Sequence, residues 1–222
     1  MQVDLRVVQL LSSRFCHDLV GPIGAVNTGL ELLQEGFDDD GKALDLIANS
    51  ASEATRRLAF FRIAFGLGAG NKGETPLSEA RDLTIDFLSG GKVGVDWPED
   101  APGDVNGDAD ATLPAPAMKV ILNMVLMASE SLPRGGAVGI EFAALDEGLG
   151  IAVTATGEDA KLSDDLKSAL TEGVAAEDLT ARNVHGYFAQ CLAWNSGALI
   201  EHSDEIGSEI RFAVLFPAAT EC

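Results

Sequence analysis

The chain has 222 residues, 46% of them hydrophobic, and a formal net charge of −20. That length suits one large domain or two small ones, and so acidic a chain is a poor ligand for a nucleic-acid backbone. No stretch approaches the roughly 18 consecutive apolar residues of a membrane helix, and Cys16, Cys191 and Cys222 have no metal-ligand spacing. The first six residues lack the basic start and apolar core of a signal peptide, so a cytoplasmic protein with reduced thiols is expected. Residues 1–70 hold six basic and nine acidic side chains, whereas residues 71–222 hold nine and 26. The near-neutral N-terminal third is therefore the better dock for an acidic protein partner.

The first 70 residues predict two helices. Val8, Leu11, Phe15, Leu19, Ile23, Val26, Leu30 and Leu33 recur at intervals of three and four, which makes one apolar stripe. Gly36 and the run Asp38-Asp-Asp-Gly41 make the turn. Leu44, Ile47, Ala51, Ala54, Leu58, Phe61 and Phe65 then alternate strictly, as in a heptad seam, up to the glycine-rich Gly66–Gly70. A lone hairpin of helices about 40 Å long cannot bury both stripes. Two hairpins paired as a four-helix bundle can, which predicts a homodimer.

Beyond residue 70 the periodicity changes. Thr75-Pro76 is expected to cap a helix over Leu77–Leu88, with proline at its first position. Lys92–Trp97 reads as a strand and Pro116–Ser131 as a strongly apolar helix. Its methionines fall at core-filling spacing. Ala137–Leu145 and Leu149–Thr156 alternate as a strand pair around Asp146-Glu-Gly148. Leu162–Leu170 and Leu179–Trp194 read as helices, and Ala198–His202 with Glu209–Phe216 as a last strand pair. The mixture predicts an α+β layer, a sheet covered on one face by helices.

The histidine in Phe15-Cys-His17-Asp18-Leu-Val-Gly-Pro22 stands apart from the stripe. With Leu19 at zero on a helical wheel, the later stripe residues fall within about 40°, and His17 falls roughly 160° away. Gly21, Gly24 and Thr28 share its face, too small to obstruct an approaching protein. A neutral imidazole attacks phosphorus to give a phosphoramidate, from which the phosphoryl group passes readily to a carboxylate. Asp18 is placed to orient the ring or take its proton. Pro22 removes the helical hydrogen bond to Asp18's carbonyl.

His-Asp-Leu-Val-Gly-Pro resembles the H-box of sensor histidine kinases, His-(Glu/Asp)-Leu-x-x-Pro within a dimerising hairpin. The remainder resembles the ATP-binding domain of such kinases in order and length. Met118-Lys-Val-Ile-Leu-Asn123-Met-Val-Leu-Met127-Ala128 stands for the asparagine-rich helix. Gly150–Gly157 stands for the strand and Asp-x-Gly, and Val184-His185-Gly186-Tyr187 for the glycine loop. The departures matter most. The resemblance puts the magnesium-holding asparagine at Met127 and the adenine-reading aspartate at Ala155, and reduces the glycine loop to Gly186. A thioether does not suit magnesium, and a methyl cannot hydrogen-bond adenine.

A kinase-like hairpin joined to a disabled ATP domain resembles the ChpT family, histidine phosphotransferases of alphaproteobacterial cell-cycle phosphorelays. The resemblance implies a helical hairpin for dimerisation and phosphotransfer over 1–69 and a degenerate ATPase-like α/β sandwich over 70–222. It implies a homodimer in which His17 takes phosphate from the receiver domain of a hybrid kinase and passes it to response regulators. No cofactor and no metal of its own are expected, neither ATP nor nucleic acid nor membrane is expected as a partner, and Mg²⁺ would come with the receiver. His17 and Asp18 are the catalytic candidates. Arg14, Val20, Gly21, Gly24, Arg56 and Arg62 are candidates for receiver docking, with Arg57 beside them. His185 and His202 read as structural or surface residues, and Trp97 and Trp194 as packing. The competing readings are an ATP-using histidine kinase and a non-catalytic, kinase-derived adaptor.

Overall fold

A computed structural model describes residues 4–36, 41–66, 74–98, 112–205 and 207–218. The acidic residues 38–40, most of the glycine-rich run after Gly66, and Cys222 lie outside these segments. Helix α1 spans Leu5–Gln34 and α2 spans Lys42–Ala64, about 45 and 35 Å at 1.5 Å per residue. Asp4 caps α1, its carboxylate accepting from the Arg6 N–H at 2.8 Å. Pro22 sits inside α1, and the helix runs on through it. The two helices approach closely at Gly29. A β-carbon there would lie 2.6 Å from Ile47 and 3.1 Å from the Ala43 carbonyl, so the missing side chain lets the hairpin close.

The rest is an α+β layer. Strand β1 (Glu74–Pro76) pairs antiparallel with β3 (Thr112–Pro114), a short ribbon that sequence periodicity does not reveal. Helix α3 covers Leu77–Leu88, with Pro76 one place earlier than expected, at the extended N-cap. Strand β2 (Val93–Asp96) lies at the edge of a five-stranded sheet, parallel to β4 (Gly136–Leu145). Strands β5 (Gly148–Ala160), β7 (Gly207–Pro217) and β6 (Ile200–Glu205) follow antiparallel, in the order β2-β4-β5-β7-β6. Helices α4 (Ala115–Glu130), α5 (Asp164–Leu170) and α6 (Val184–Asn195) complete the fold. Helix α6 begins five residues later than expected. A 3₁₀ turn at Ala176–Asp178 comes first, and the Asn183 side chain then accepts from the Thr180 N–H at 2.8 Å.

Helix α4 is the centre of the molecule. Met118, Ile121, Leu122, Met124, Val125 and Met127 are all fully buried, as befits a helix apolar on every side. The core around it does not stop where the hairpin ends. Phe60, Phe61, Ile63 and Ala64 of α2 join α4 and the sheet in one cluster, and Phe60 stacks on Phe87 of α3 at 4.1 Å. Buried Asn123 donates from Nδ2 to the Ala64 carbonyl at 3.1 Å, tying α4 to the last turn of α2. Earlier along α2 the expected seam is open to solvent in the single chain: Leu44 is 57% exposed and Leu58 is 52%. Among the described residues, no helix is long and apolar enough to cross a membrane.

Candidate functional site

Arg14, His17, Asp18 and Gly21 lie along one face of α1 at spacings of three, four and seven. The His17 side chain is 85% exposed, while that of Asp18 is only 14% exposed. Asp18 Oδ1 lies 3.2 Å from His17 Nδ1, and Asp18 Oδ2 accepts from Arg14 Nε at 2.8 Å. A carboxylate only accepts, so this contact favours a proton on Nδ1 and leaves Nε2 with its lone pair outward. His17 borders a shallow depression of about 400 Å³, lined also by Asp18, Gly21, Pro22, Glu53 and Arg57. A β-carbon added at Gly21 or Gly24 would meet nothing within 4 Å. Val20, one residue before Gly21, is 67% exposed. The face beside the imidazole is therefore open.

Three arginines part company with expectation. Arg14 is buried, and its guanidinium is turned into the chain rather than toward an incoming receiver. It reaches the carbonyls of Ala181 and Arg182 through Nη1 at 3.4 and 3.3 Å, and Glu130 Oε1 through Nη2. Its three nitrogens are engaged within the chain, Nε by Asp18 and the other two by groups more than a hundred residues away, which the sequence around position 14 could not show. Arg56 bonds Ser52 Oγ at 2.6 Å and the Ser89 carbonyl at 3.4 Å, and lines a neighbouring cleft of about 670 Å³ instead of the His17 depression. Arg62 is exposed in the last turn of α2 but does not line the depression. Arg57 is the one that does, with Nε on Glu53 Oε1 at 3.0 Å.

His185 belongs to the same assembly. It is fully buried, with Nδ1 3.3 Å from Arg14 Nη1 and Nε2 3.1 Å from Glu130 Oε2. Burial foremost, and the Arg14 charge next, push its pKa down to about 3. A neutral ring facing a guanidinium accepts at Nδ1 and carries its proton on Nε2, which makes no well-directed hydrogen bond although Glu130 Oε2 lies 3.1 Å away. Sequence reasoning missed Glu130, whose only trace is one acid at the end of an apolar helix. His202 is exposed on β6. Trp97 is half-buried, 5.9 Å from Phe142, and Trp194 is half-buried on α6.

The positions that the resemblance sets against a kinase's nucleotide contacts are packing positions here. Met127 and Ala155 are fully buried. A β-carbon at Gly186 would lie 2.6 Å from Leu166 Cδ1 and 3.4 Å from Met127 Sδ, so α5, α4 and α6 close on one another there. Among the described residues, no three His, Cys, Asp or Glu side chains gather as a metal site.

Comparison with known proteins follows the same line. A family model described as the histidine phosphotransferase C-terminal domain matches residues 77–205. The chain is 32% identical over 192 residues to the protein phosphotransferase ChpT of Brucella abortus, covering 86% of this chain and 87% of that protein. A solved bacterial phosphotransferase superposes with a TM-score of 0.81 at 29% identity, over 96% of this chain and 98% of that one. The Acinetobacter baumannii histidine kinase AdeS superposes with a TM-score of 0.50 at 13% identity, over 92% of this chain and 98% of that one, a likeness of fold alone.

Proposed function

This chain belongs to the ChpT-type histidine phosphotransferases, and from that premise we propose that His17 is its phosphoryl carrier, loaded by one receiver domain and unloaded by another. The observation that carries the reading is an imidazole 85% exposed on a rigid helix, with Nδ1 held by a largely buried carboxylate.

In the forward step, His17 Nε2 attacks the phosphorus of an aspartyl phosphate on the receiver of a hybrid kinase. The P–N bond forms, the P–O bond to the aspartate breaks, and the carboxylate leaves. The ring is then a cation, and Asp18 offsets its charge through Nδ1–H. Transfer to the aspartate of a response regulator reverses each bond change. A Mg²⁺ ion brought by the receiver would neutralise charge on the phosphoryl oxygens. This chain contributes position: a nucleophile fixed on a helix and a face of Val20, Gly21 and Gly24 open enough for a receiver to reach it. Arg57, at the edge of the depression, meets the receiver's acidic pocket. ATP has no part in this scheme, a reading supported by the packed positions of Met127, Ala155 and Gly186.

The functional unit is a homodimer. Ile23 and Leu30 on α1 and Leu44 and Leu58 on α2 are each between 44% and 57% exposed, and a second copy covers them as a four-helix bundle.

Exposure to a phosphorylated receiver, followed by mass spectrometry that locates the modified residue, tests the central claim. The expected product carries one phosphoryl group on His17, and His17→Ala takes up none while keeping its fold. Undiminished labelling of that variant would overturn the assignment.

A further inference from the structure

Asp18 is held from the far end of the sequence. Arg14 Nε donates to Asp18 Oδ2, Nη1 faces His185 Nδ1 and the carbonyls of Ala181 and Arg182, and Nη2 donates to Glu130. Glu130 ends α4, and His185 lies in the first turn of α6. A planar fork engaged at all three nitrogens cannot turn without breaking several charge-assisted bonds. It therefore fixes one oxygen of Asp18 from behind, and the other oxygen is left toward His17 Nδ1 at 3.2 Å.

We propose that Arg14 is a positioning residue for phosphoryl transfer: anchored by Glu130 and His185, it fixes Asp18, and through Asp18 the nitrogen of His17 that carries the proton. The proposal rests on His17 being the acceptor, and adds that its nucleophilic tautomer depends on α4 and α6, which do not touch the imidazole. The low pKa of His185 fits this role, since a neutral ring accepts from Arg14 without competing for Glu130 as a second cation. Lysine at position 14 keeps the charge but loses the fork, so charge alone does not replace it.

The test uses the full chain with ¹⁵N-labelled histidine. Imidazole NMR reads the tautomer of His17, whose signals are assigned with His17→Ala. Potassium phosphoramidate is the phosphoryl donor, so that docking plays no part: Nε2 forms its bond to phosphorus, the donor's P–N bond breaks and ammonia leaves. Asp18→Asn and Arg14→Met are each expected to slow phosphorylation by at least about tenfold, as loss of a placed proton acceptor does. Each also moves the His17 proton from Nδ1 toward Nε2. The double variant is expected to be no slower than Asp18→Asn, because both act through one contact, and Arg14→Lys stays close to Arg14→Met. An unshifted tautomer in Arg14→Met, or losses that multiply in the double variant, would overturn the proposal. If circular dichroism shows Arg14→Met unfolded, Glu130→Gln takes its place in the cycle under the same criteria. A wild-type protein that takes no phosphate on His17 sinks the functional reading. A phosphorylated wild type whose tautomer ignores position 14 sinks only this one.

Discussion

The Arg14 guanidinium faces His185 Nδ1 at 3.3 Å, and burial first, with that neighbouring charge second, holds the imidazole uncharged. The folded chain keeps this ring neutral down to about pH 3, whereas the unfolded chain binds a proton near the ordinary value of 6.5. Below pH 6.5 the unfolded state therefore carries one proton more, and stability falls as the pH falls. The slope from this group is about 1.4 kcal/mol per pH unit. Urea unfolding at pH 7 and pH 5 checks it: His185→Gln should lose less stability across that interval than the wild type.

Gly21 separates stability from transfer. It stands inside α1 with open space where a side chain would go. Gly21→Leu should stabilise the helix by roughly 0.5–1 kcal/mol, since glycine is the costlier residue in a helix interior. The same side chain obstructs the face beside His17, so phosphate uptake from a receiver should fall at least about tenfold. Thermal melts and receiver-transfer rates measured on one preparation should move in opposite directions.

Phe60 shows how far the hairpin shares its core with the sheet layer. It is fully buried and stacked on Phe87. Phe60→Ala should cost about 3–5 kcal/mol. Because the cluster spans α2, α4 and the sheet, calorimetry should show one transition moving as a whole, not a hairpin that melts early.

Leu30 and Leu44 probe the assembly. Both are exposed in the single chain, at 44% and 57%. Leu30→Asp with Leu44→Asp should leave the secondary structure intact and shift the mass measured by light scattering from dimer to monomer. A mass unchanged by the two charges would remove the bundle from the picture.

The elements were legible in the sequence wherever periodicity had one reading. The alternation at Ala137–Leu145 and Leu149–Thr156 became β4 and β5 within a few residues. His17 is exposed, as its wheel angle required, but the stripe is not the buried face of the single chain: Ile23 and Leu30 are about half exposed, and the buried residues of α1 are Val7, Arg14 and Gly29. What resisted prediction was settled by distant partners. Arg14 reads locally as one more surface cation. Its burial is decided by Glu130 and by the loop before α6, on which nothing near position 14 bears. The heptad seam of α2 is genuine as a pattern, but the α2 residues that join the main core of the single chain are Phe60, Phe61, Ile63 and Ala64, where the helix packs on α3 and α4.

The way α1 is fastened has a mechanical meaning. Arg6 bonds the carbonyls of Ala176 and Leu179, Val7 packs among Ala169, Leu179 and Val184, and Arg14 closes the last tie one turn before His17. Beyond that turn α1 is supported within the chain by α2. The helix is thus a beam clamped along its first three turns, and His17 stands at the root of the free span. A beam is stiffest beside its clamp, so when a partner leans on the hairpin the far end should yield while His17 keeps its place.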